Sequence, residues 1–353
     1  MPGWRQFRRV ATCALAAAFA ALAWSAGAAR DRTPVAWAGR SFSKGVDLSR
    51  LTEVEAKGCQ FMTDMGLKSD IFPLLRKRSV GAVRLRLYVA PEGGWCDAKD
   101  SLGKAFRARK AGMDVMLAFQ YSDVAATSSA QTPPKAWAGL SPDEMLAAAS
   151  NHTATVLAMF KASSIEPRWV QIGSETSDGF LWPAFRAGAS PRRFAAAFAA
   201  CRAAAKSVFP HVKIVAHVGR ADDAAGTDRC LGALAESEVK FDMAGFTLFP
   251  QRDAPVGRDS DEFLKECLAK IDGAAHKWNC ETMVVEAGFD GTPAAYEESR
   301  QRLAFLLFSV RQMRRCRGLF YCDPECRPRS DGWKYGAFDE MGRPTPLLEG
   351  FKE

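Results

Sequence analysis

Two glutamates each end a short apolar run of the kind that forms a strand. Trp169–Glu175 and Thr282–Glu286 both place a carboxylate after a hydrophobic segment. A carboxylate is costly to bury without a partner, so this position calls for a chemical reason. Retaining glycosidases hold a nucleophile and an acid/base as two carboxyl groups about 5–5.5 Å apart. We therefore predict that Glu175 and Glu286 are a catalytic pair across a sugar-binding cleft. The alternative, for either glutamate taken alone, is a salt bridge to a neighbouring loop.

Strand-like and helix-like segments alternate along the chain. The strand-like runs are Gly45–Leu48, Ala82–Val89, Asp114–Tyr121, Trp169–Glu175, Val212–Val218, Phe241–Phe249, Thr282–Phe289 and Gly318–Asp323. The clearest helical stretches are Asp70–Arg78, Leu102–Ala111, Asp143–Phe160, Pro191–Val208, Glu262–Trp278 and Ala295–Arg315. This alternation favours a parallel sheet, and eight repeats favour one closed α/β domain, a (β/α)8 TIM barrel. No glycine-rich dinucleotide motif follows the first run, which disfavours an open sheet.

Strand alternation predicts which side chains face the barrel interior. In the second run, Arg84, Arg86 and Tyr88 share the inward face. A buried arginine needs a counter-charge. We expect a structural ion pair for Arg84, deeper in the strand, and a role at the site for Arg86, which would hold Glu286 ionised. The same alternation places Val284 and Glu286 inward, with the tips of strands four and seven meeting across the barrel mouth.

The N-terminal region resembles an export signal. Three arginines lie within the first nine residues, followed by an apolar stretch over 10–24 and the small-residue site 26–28. The stretch is shorter than the ~20 residues that span a bilayer, which disfavours a membrane anchor. We predict a signal peptide over 1–28, a short segment over 29–43 and the barrel over 44–353. The mature protein is then expected to be secreted or periplasmic, away from the membrane.

Charge and cysteine content narrow the possible partners. The formal net charge of +8 is spread over 353 residues in a protein predicted to be exported, so we expect no nucleic-acid partner. Ten cysteines are present, and Cys13 lies in the predicted signal peptide. In an exported protein the other nine are disulfide candidates, with Cys201–Cys230 and Cys267–Cys280 as possible pairs and at least one thiol left free or paired between chains. The closely spaced cysteines near the C-terminus have no second metal-like cluster. We therefore expect neither a metal nor an organic cofactor.

Several short motifs follow one another in a fixed order. They are KGVDLS (44–49), VRLRL (83–87), FQYSD (119–123), PKAW (134–137), VQIGSET (170–176), LWP (181–183), FDMAG (241–245) and MVVEAG (283–288). Together they resemble glycoside hydrolase family 53, the endo-β-1,4-galactanases acting on arabinogalactan. The resemblance implies a clan-A (β/α)8 barrel that hydrolyses with retention. It also implies that Glu175 is the acid/base and Glu286 the nucleophile.

Four positions depart from the pattern of that family. Ser174 stands where the family has an Asn that hydrogen-bonds the sugar 2-hydroxyl, and Gln120 replaces a His. Leu248–Pro250 lacks the family's paired tyrosines, and Tyr321–Pro324 occupies the place of a Trp-Glu-Pro run. Both acids are kept while several of their neighbours have changed.

A set of side chains is expected to contact the sugar. These candidates are Arg86, Gln120, Asp123, Ser174 and Trp182. Trp182 would stack on a sugar ring, with loop packing as its alternative, and the same two interpretations hold for Trp137. Tyr121 and Asp123 either bind hydroxyls or brace their loop.

Three functional hypotheses follow. The first is an exported endo-galactanase, or a relative cutting another β-linked plant polysaccharide, acting as a monomer on galactan or arabinogalactan side chains of pectin. The second is a non-catalytic carbohydrate-binding barrel derived from such an enzyme. The third is a phosphate-handling barrel, suggested by the glycines of Gly288–Gly291 but disfavoured because Asp290 has the wrong charge for an anion site.

Overall fold

Eight parallel strands close into a barrel in the computed structural model, which describes residues 42–326 and 333–353. The strands are β1 (Ser43–Asp47), β2 (Ala82–Leu87), β3 (Asp114–Phe119), β4 (Trp169–Ile172), β5 (Lys213–Arg220), β6 (Met243–Leu248), β7 (Glu281–Ala287) and β8 (Cys316–Cys322). Each pairs with its neighbours in sequence, and β1 pairs with both β2 and β8. This closure confirms the predicted (β/α)8 barrel.

Nine α-helices connect the strands within the described residues. They are α1 (Leu51–Ala56), α2 (Ile71–Arg76), α3 (Ala98–Lys110), α4 (Pro142–Ala162), α5 (Pro191–Val208), α6 (Ala224–Glu236), α7 (Pro250–Asp253), α8 (Ser260–Lys277) and α9 (Tyr296–Gln312). Local sequence explains several of their starts: α4 begins with a reciprocal capping box between Ser141 and Glu144, with Pro142 in its first turn. Across residues 42–326 and 333–353, no helix has the length and hydrophobicity needed to cross a membrane.

The predicted elements match the observed ones closely, with three helices missed. The missed helices are α1, α6 and α7. α6 carries two glycines among alanines and lacks a clear apolar stripe, and α7 is a single turn. The predicted signal peptide over 1–28 and most of the segment over 29–43 lie outside the described residues.

Hydrophobic side chains form two layers around the strands. Inside the barrel, eight buried residues form one cluster: Ala82, Met116, Trp169, Val215, Met243, Met283, Val285 and Phe320. The much larger cluster lies between the strands and the surrounding helices. The inner layer fills the lower part of the barrel, which leaves the carboxyl ends of the strands, where barrel active sites lie, for the polar side chains of a site.

Strand β7 departs from regular alternation, which corrects one prediction. Its register with β6 steps from Phe246 opposite Val284 to Thr247 opposite Glu286, so Val285 is an extra residue. Val285 belongs to the inner cluster and Val284 to the outer core, so the prediction of an inward Val284 was wrong. A β-bulge re-aims the residue that follows it, and this one leaves Glu286 at the barrel mouth.

The cysteines of the described region are free thiols, so the two suggested disulfides are not formed. The Cys201 thiol faces Tyr121 and Thr153, whereas the Cys230 thiol contacts the Thr176 hydroxyl at 3.5 Å. Cys267 and Cys280 are likewise both free. Burial raises the pKa of Cys201 to about 11 and that of Cys230 to about 12. These side chains therefore behave as small buried hydrophobes.

Candidate active site

A pocket of about 400 Å³ opens at the carboxyl ends of the strands. Its wall includes Arg86, Gln120, Ser174, Glu175, Phe249, Glu286 and Trp333. A carboxylate oxygen of Glu175, one of Glu286 and a ring nitrogen of His217 all lie within 4.8 Å of one another. The two acids that end separate strands in the sequence therefore meet at one site.

The Glu175 side chain is fixed by an unusual turn after β4. Gly173 has φ of +74°, and a Cβ there would lie 2.5 Å from the Thr176 side chain, so only glycine fits. Glu175 itself has φ of 51°, and its backbone N–H donates to His217 Nδ1 at 3.2 Å. The Ser128 N–H donates to Glu175 Oε2 at 2.9 Å. Glu175 thus lies beyond the last strand residue, in a turn that aims its carboxylate into the pocket.

A buried glutamine ties that turn to the loop after β3. Gln131 Nε2 donates to the carbonyl oxygens of Ser174 at 2.8 Å and Glu175 at 3.2 Å. The same loop carries Ser128, so the backbone donor to Glu175 and the support for its turn come from one segment. Nothing in the sequence pattern of this loop indicated either contact.

Glu286 is held by a buried arginine. Arg84 Nη2 lies 2.8 Å from Glu286 Oε1, and its Nη1 lies 2.5 Å from Asp47 Oδ2. The Arg84 and Asp47 side chains are fully buried, and that of Glu286 is 15% exposed. A buried charge pair of this kind is tolerated when its members also have hydrogen bonds. Arg84 meets that condition because its Nε donates to Gln171 Oε1 at 3.0 Å.

The two arginines follow the expected division only in part. Arg84 forms a buried ion pair with Asp47, and Arg86 lines the pocket and lowers the pKa of Glu286, but the nearer partner of Glu286 is Arg84. Arg84, predicted to be a structural ion pair, contacts Glu286 directly. Arg86 is paired with Asp323 and lies 3.5 Å from Asp47, so it reaches Glu286 only through its charge. Strand alternation gave both side chains the correct face, but it carries no information on how deep in the barrel a partner carboxylate will lie.

The environment pushes the pKa values of the two glutamates in opposite directions. Burial and the nearby Glu286 charge raise the pKa of Glu175 above its usual range, although the Ser128 and Thr247 hydrogen bonds oppose this. Burial alone would also raise the pKa of Glu286, but the charge of Arg84, and after it that of Arg86, holds the pKa below its usual range. A protonated Glu175 beside an ionised Glu286 is the pairing that an acid and a nucleophile require.

His217 connects the two acids and was missed in the sequence. It is fully buried on β5, and its Nε2 lies 2.9 Å from Thr247 Oγ1. Its inward position in the apolar run Val212–Val218 was a usable signal. Glutamate and histidine also bind metals. Here, however, both ring nitrogens have hydrogen-bond partners and Arg84 occupies an oxygen of Glu286, so the cluster is arranged for protons rather than for a cation.

Three predicted sugar contacts, Arg86, Gln120 and Ser174, lie in the pocket wall. Gln120 is 2% exposed; its Oε1 accepts from the Ala126 N–H at 3.4 Å, and its Nε2 has no partner in the described residues. Ser174 is buried with its Oγ 3.2 Å from His217 Nδ1. The free amide of Gln120 is thus a donor available to a ligand.

Two other predicted contacts lie outside the pocket. The Asp123 carboxylate accepts from the N–H groups of Ala90 and Lys135, both at 2.9 Å, so it braces two loops. Trp182 Nε1 donates to a backbone oxygen, and the Arg186 guanidinium covers its ring at 4.7 Å.

The other loop aromatics named in the sequence are packing residues. Trp137 is buried against His152, and the Tyr121 hydroxyl bonds Thr153 at 2.8 Å.

The aromatic rings that line the pocket come from elsewhere. Phe249 and Trp333 line the pocket, and they form a cluster with Tyr335 in which ring centroids are 5.0–6.4 Å apart. The Arg252 guanidinium lies 4.0 Å from the Phe249 ring centroid. Phe249 was visible in the sequence as a departure from the family, but Trp333 follows the last strand in an irregular segment with no motif.

A carboxylate pair at the carboxyl rim of a (β/α)8 barrel is the arrangement of barrel glycoside hydrolases, and the comparisons agree. A family model described as glycosyl hydrolase family 53 matches residues 43–304. The chain therefore belongs to glycosyl hydrolase family 53, and it is a glycoside hydrolase.

Individual relatives cover nearly the whole chain. An uncharacterized protein in the bgaB 5′ region of Niallia circulans is 30% identical over 327 residues, covering 86% of this chain and 89% of that protein. The arabinogalactan endo-β-1,4-galactanase of Cellvibrio japonicus is 26% identical, covering 91% and 90%. The solved family 53 catalytic domain from Ignisphaera aggregans superposes with a TM-score of 0.79 at 25% identity, covering 91% and 98%.

Proposed function

We propose that this protein is an exported, retaining endo-glycosidase that cuts β-1,4-galactan, arabinogalactan or a related β-linked plant polysaccharide. The substrate class is inferred from relatives such as the arabinogalactan endo-β-1,4-galactanase of Cellvibrio japonicus. Export to the periplasm or the medium, and action as a monomer, are inferred from the sequence alone. The single observation that carries the proposal is the meeting of Glu175 and Glu286 within 4.8 Å.

That spacing favours retention over inversion. Inverting glycosidases separate their carboxyl groups by ~6.5–9.5 Å to admit a water, whereas retaining enzymes keep them ~5–5.5 Å apart. Glu286, ionised beside Arg84, would attack the anomeric carbon of the sugar. Glu175 would give its proton to the departing glycosidic oxygen, which breaks the sugar–oxygen bond. In the second half, Glu175 would take a proton from a water that displaces Glu286 from the sugar.

The pocket wall supplies contacts suited to a neutral sugar. Gln120 Nε2 and Arg86 Nε are buried donors without partners among the described residues. Each would gain a hydrogen bond from a sugar hydroxyl, which removes the cost of an unpaired buried donor. Ser174 lines the same wall but is shorter than the family's Asn, so we expect weaker contact with the 2-hydroxyl.

The test is release of reducing ends from galactan, arabinogalactan, mannan, xylan and β-glucan. We expect cleavage of galactan or arabinogalactan by the native chain and a loss of at least about 10³-fold in the E286Q and E175Q variants. Both variants should keep the native unfolding midpoint within a small margin. Binding of galactan with no reducing ends released by the native chain would instead select a carbohydrate-binding barrel.

A further inference from the structure

One buried hydroxyl lies within hydrogen-bond reach of both glutamates. Thr247, on β6, is 1% exposed. Its Oγ1 is 2.9 Å from His217 Nε2, 3.1 Å from Glu175 Oε1 and 3.5 Å from Glu286 Oε2. A hydroxyl has one hydrogen and two acceptor lone pairs, so it can donate to only one of these three at a time.

The surrounding network fixes which partner donates to Thr247, starting at Arg84. The Arg84 guanidinium can only donate, and its Nε lies 3.0 Å from Gln171 Oε1. The Gln171 oxygen therefore faces Arg84, and its NH2 faces the other way. That NH2 lies 2.8 Å from the Gly173 carbonyl oxygen and 3.2 Å from His217 Nδ1.

His217 Nδ1 must then be the acceptor nitrogen of the ring. It faces the Gln171 NH2 and the Glu175 backbone N–H, each at 3.2 Å. Burial lowers the pKa of His217 to about 4, so the ring is neutral near pH 7. A neutral imidazole carries one proton, which here lies on Nε2 and is donated to Thr247.

The Thr247 hydrogen is thus left for a carboxylate. We propose that Thr247 is a positioning residue whose hydroxyl turns to donate to whichever of the two catalytic glutamates is ionised. This inference rests on the proposed function, because it assigns a part to Thr247 in that two-step reaction. Residues chosen for catalysis by sequence alone did not include it.

Each stage of the reaction then leaves the cluster fully hydrogen-bonded. Before the sugar binds, Thr247 accepts from His217 and from the protonated Glu175 and donates to the ionised Glu286. When the sugar occupies the pocket, the Glu175 proton turns from Thr247 to the glycosidic oxygen. After Glu175 has lost its proton to the leaving oxygen, Glu286 is neutral because it is bonded to the sugar. The Thr247 hydrogen can then turn to Glu175 Oε1, which needs a donor while it serves as base.

The other ionisable groups near the glutamates belong to residues that a Thr247 substitution does not change. They are Asp47 on β1, Arg84 and Arg86 on β2, His217 and Arg220 on β5, Arg252 and Asp253 after β6, and Cys322 and Asp323 at the end of β8. A change in the pH profile of a Thr247 variant therefore reports the hydroxyl.

The experiment compares T247V, which removes the hydroxyl at nearly constant volume, with T247S, which keeps it. The readout is the pH dependence of kcat/KM for galactan cleavage in the full chain. A donor to ionised Glu286 lowers its pKa, so its loss should move the acidic limb of T247V to higher pH by about one unit. The basic limb, set by Glu175, should move less, and kcat should fall at least about tenfold. T247S should restore both limbs.

Other results would contradict this role of Thr247. A T247V variant with unchanged limbs, or a T247S variant as shifted as T247V, would overturn this role while leaving the glycosidase assignment intact. A native chain without activity, or an E286Q variant as active as the native chain, would overturn the proposed function and this inference with it. If T247V does not fold, T247A carries the same comparison, with thermal unfolding checked for every variant.

Discussion

The pairing of Arg84 with Glu286 gives the sharpest test of how the site keeps its charges. Replacing Arg84 by methionine removes the guanidinium while keeping much of the side-chain volume. Asp47 then retains Arg86 at 3.5 Å, but Glu286 loses its direct counter-charge. The carboxylates of Asp47 and Glu286 remain largely buried in this variant, and burying an anion without a partner is costly in free energy.

The size of the effect follows from the geometry. Unit charges ~4 Å apart attract by ~4 kcal/mol at an effective dielectric constant near 20. Removing one partner of a buried pair costs ~3–5 kcal/mol in measured cases. We therefore expect R84M to lower the free energy of unfolding by about 3–5 kcal/mol near pH 7.

The pH dependence of that loss has a defined sign. The folded-state pKa values of Asp47 and Glu286 are both held low, with Arg84 among the causes for each. A lowered carboxyl pKa stabilises the fold above the unfolded value, near 4, and this stability is lost as pH falls through the folded value. The difference between the native chain and R84M should thus be largest at neutral pH and shrink below about pH 4.

Urea unfolding at pH 7 and at about pH 3 measures this difference, and R86M is the matched control. R86M removes the partner of Asp323 but leaves the Glu286 pair intact. The acidic limb of kcat/KM should move to higher pH in R84M, and it should move less in R86M. The limb of R84K should lie between those of the native chain and R84M. An R84M variant within about 1 kcal/mol of native stability at pH 7, or an R86M limb that moves further than that of R84M, would show that Arg84 is not the main counter-charge of Glu286.

Three further predictions concern other parts of the molecule. Burial lowers the pKa of His152 to about 4, so the unfolded chain takes up this proton at higher pH than the folded chain does, and the free energy of unfolding falls as pH drops from about 6.5 to 4. Between pH 7 and pH 5, H152Q should therefore lose about 2 kcal/mol less of this free energy than the native chain loses. The control H276Q, at an exposed histidine, should lose as much as the native chain. W333A should raise KM for galactan about tenfold because Trp333 lines the pocket, whereas W182A should change KM little because Arg186 covers the Trp182 ring. A larger rise in KM for W182A than for W333A would show that Trp182, and not Trp333, stacks on the sugar. Reductant should leave the urea midpoint unchanged because the described cysteines are free, and a loss of about 2–5 kcal/mol would reveal a disulfide.

The sequence predicted the barrel well because its signals are local. Each strand is a short apolar run followed by an amphipathic helix, and eight such units leave few alternatives to a closed barrel. The glutamates were found for the same reason, since a charge after an apolar run is conspicuous wherever it occurs.

Contacts between distant segments were harder to predict. The bulge at Val285 is a register shift between neighbouring strands, and the donor to Glu175 from Ser128 is a backbone group. Neither depends on a side-chain type that a pattern could reveal. The direct contact of Arg84 with Glu286 likewise depends on depth in the barrel, which alternation does not encode.

The predicted sugar contacts also differ according to whether they lie at strand ends or in loops. Gln120 and Ser174 lie at strand ends, where position follows from the strand itself, and both line the pocket. Asp123 and Trp182 lie in loops, and those loops fold back on themselves with internal partners. A tryptophan in a long loop after a barrel strand is therefore a weak indicator of a sugar platform.

The stereochemistry of cleavage shows whether Glu175 and Glu286 act as a facing acid and nucleophile. Proton NMR spectra recorded in the first minutes of galactan hydrolysis distinguish the anomer released at the new reducing end before it equilibrates. We predict that the β-anomer appears first, since two displacements at carboxylates this close retain configuration. Initial release of the α-anomer would show inversion and would contradict the assignment of Glu286 as the nucleophile.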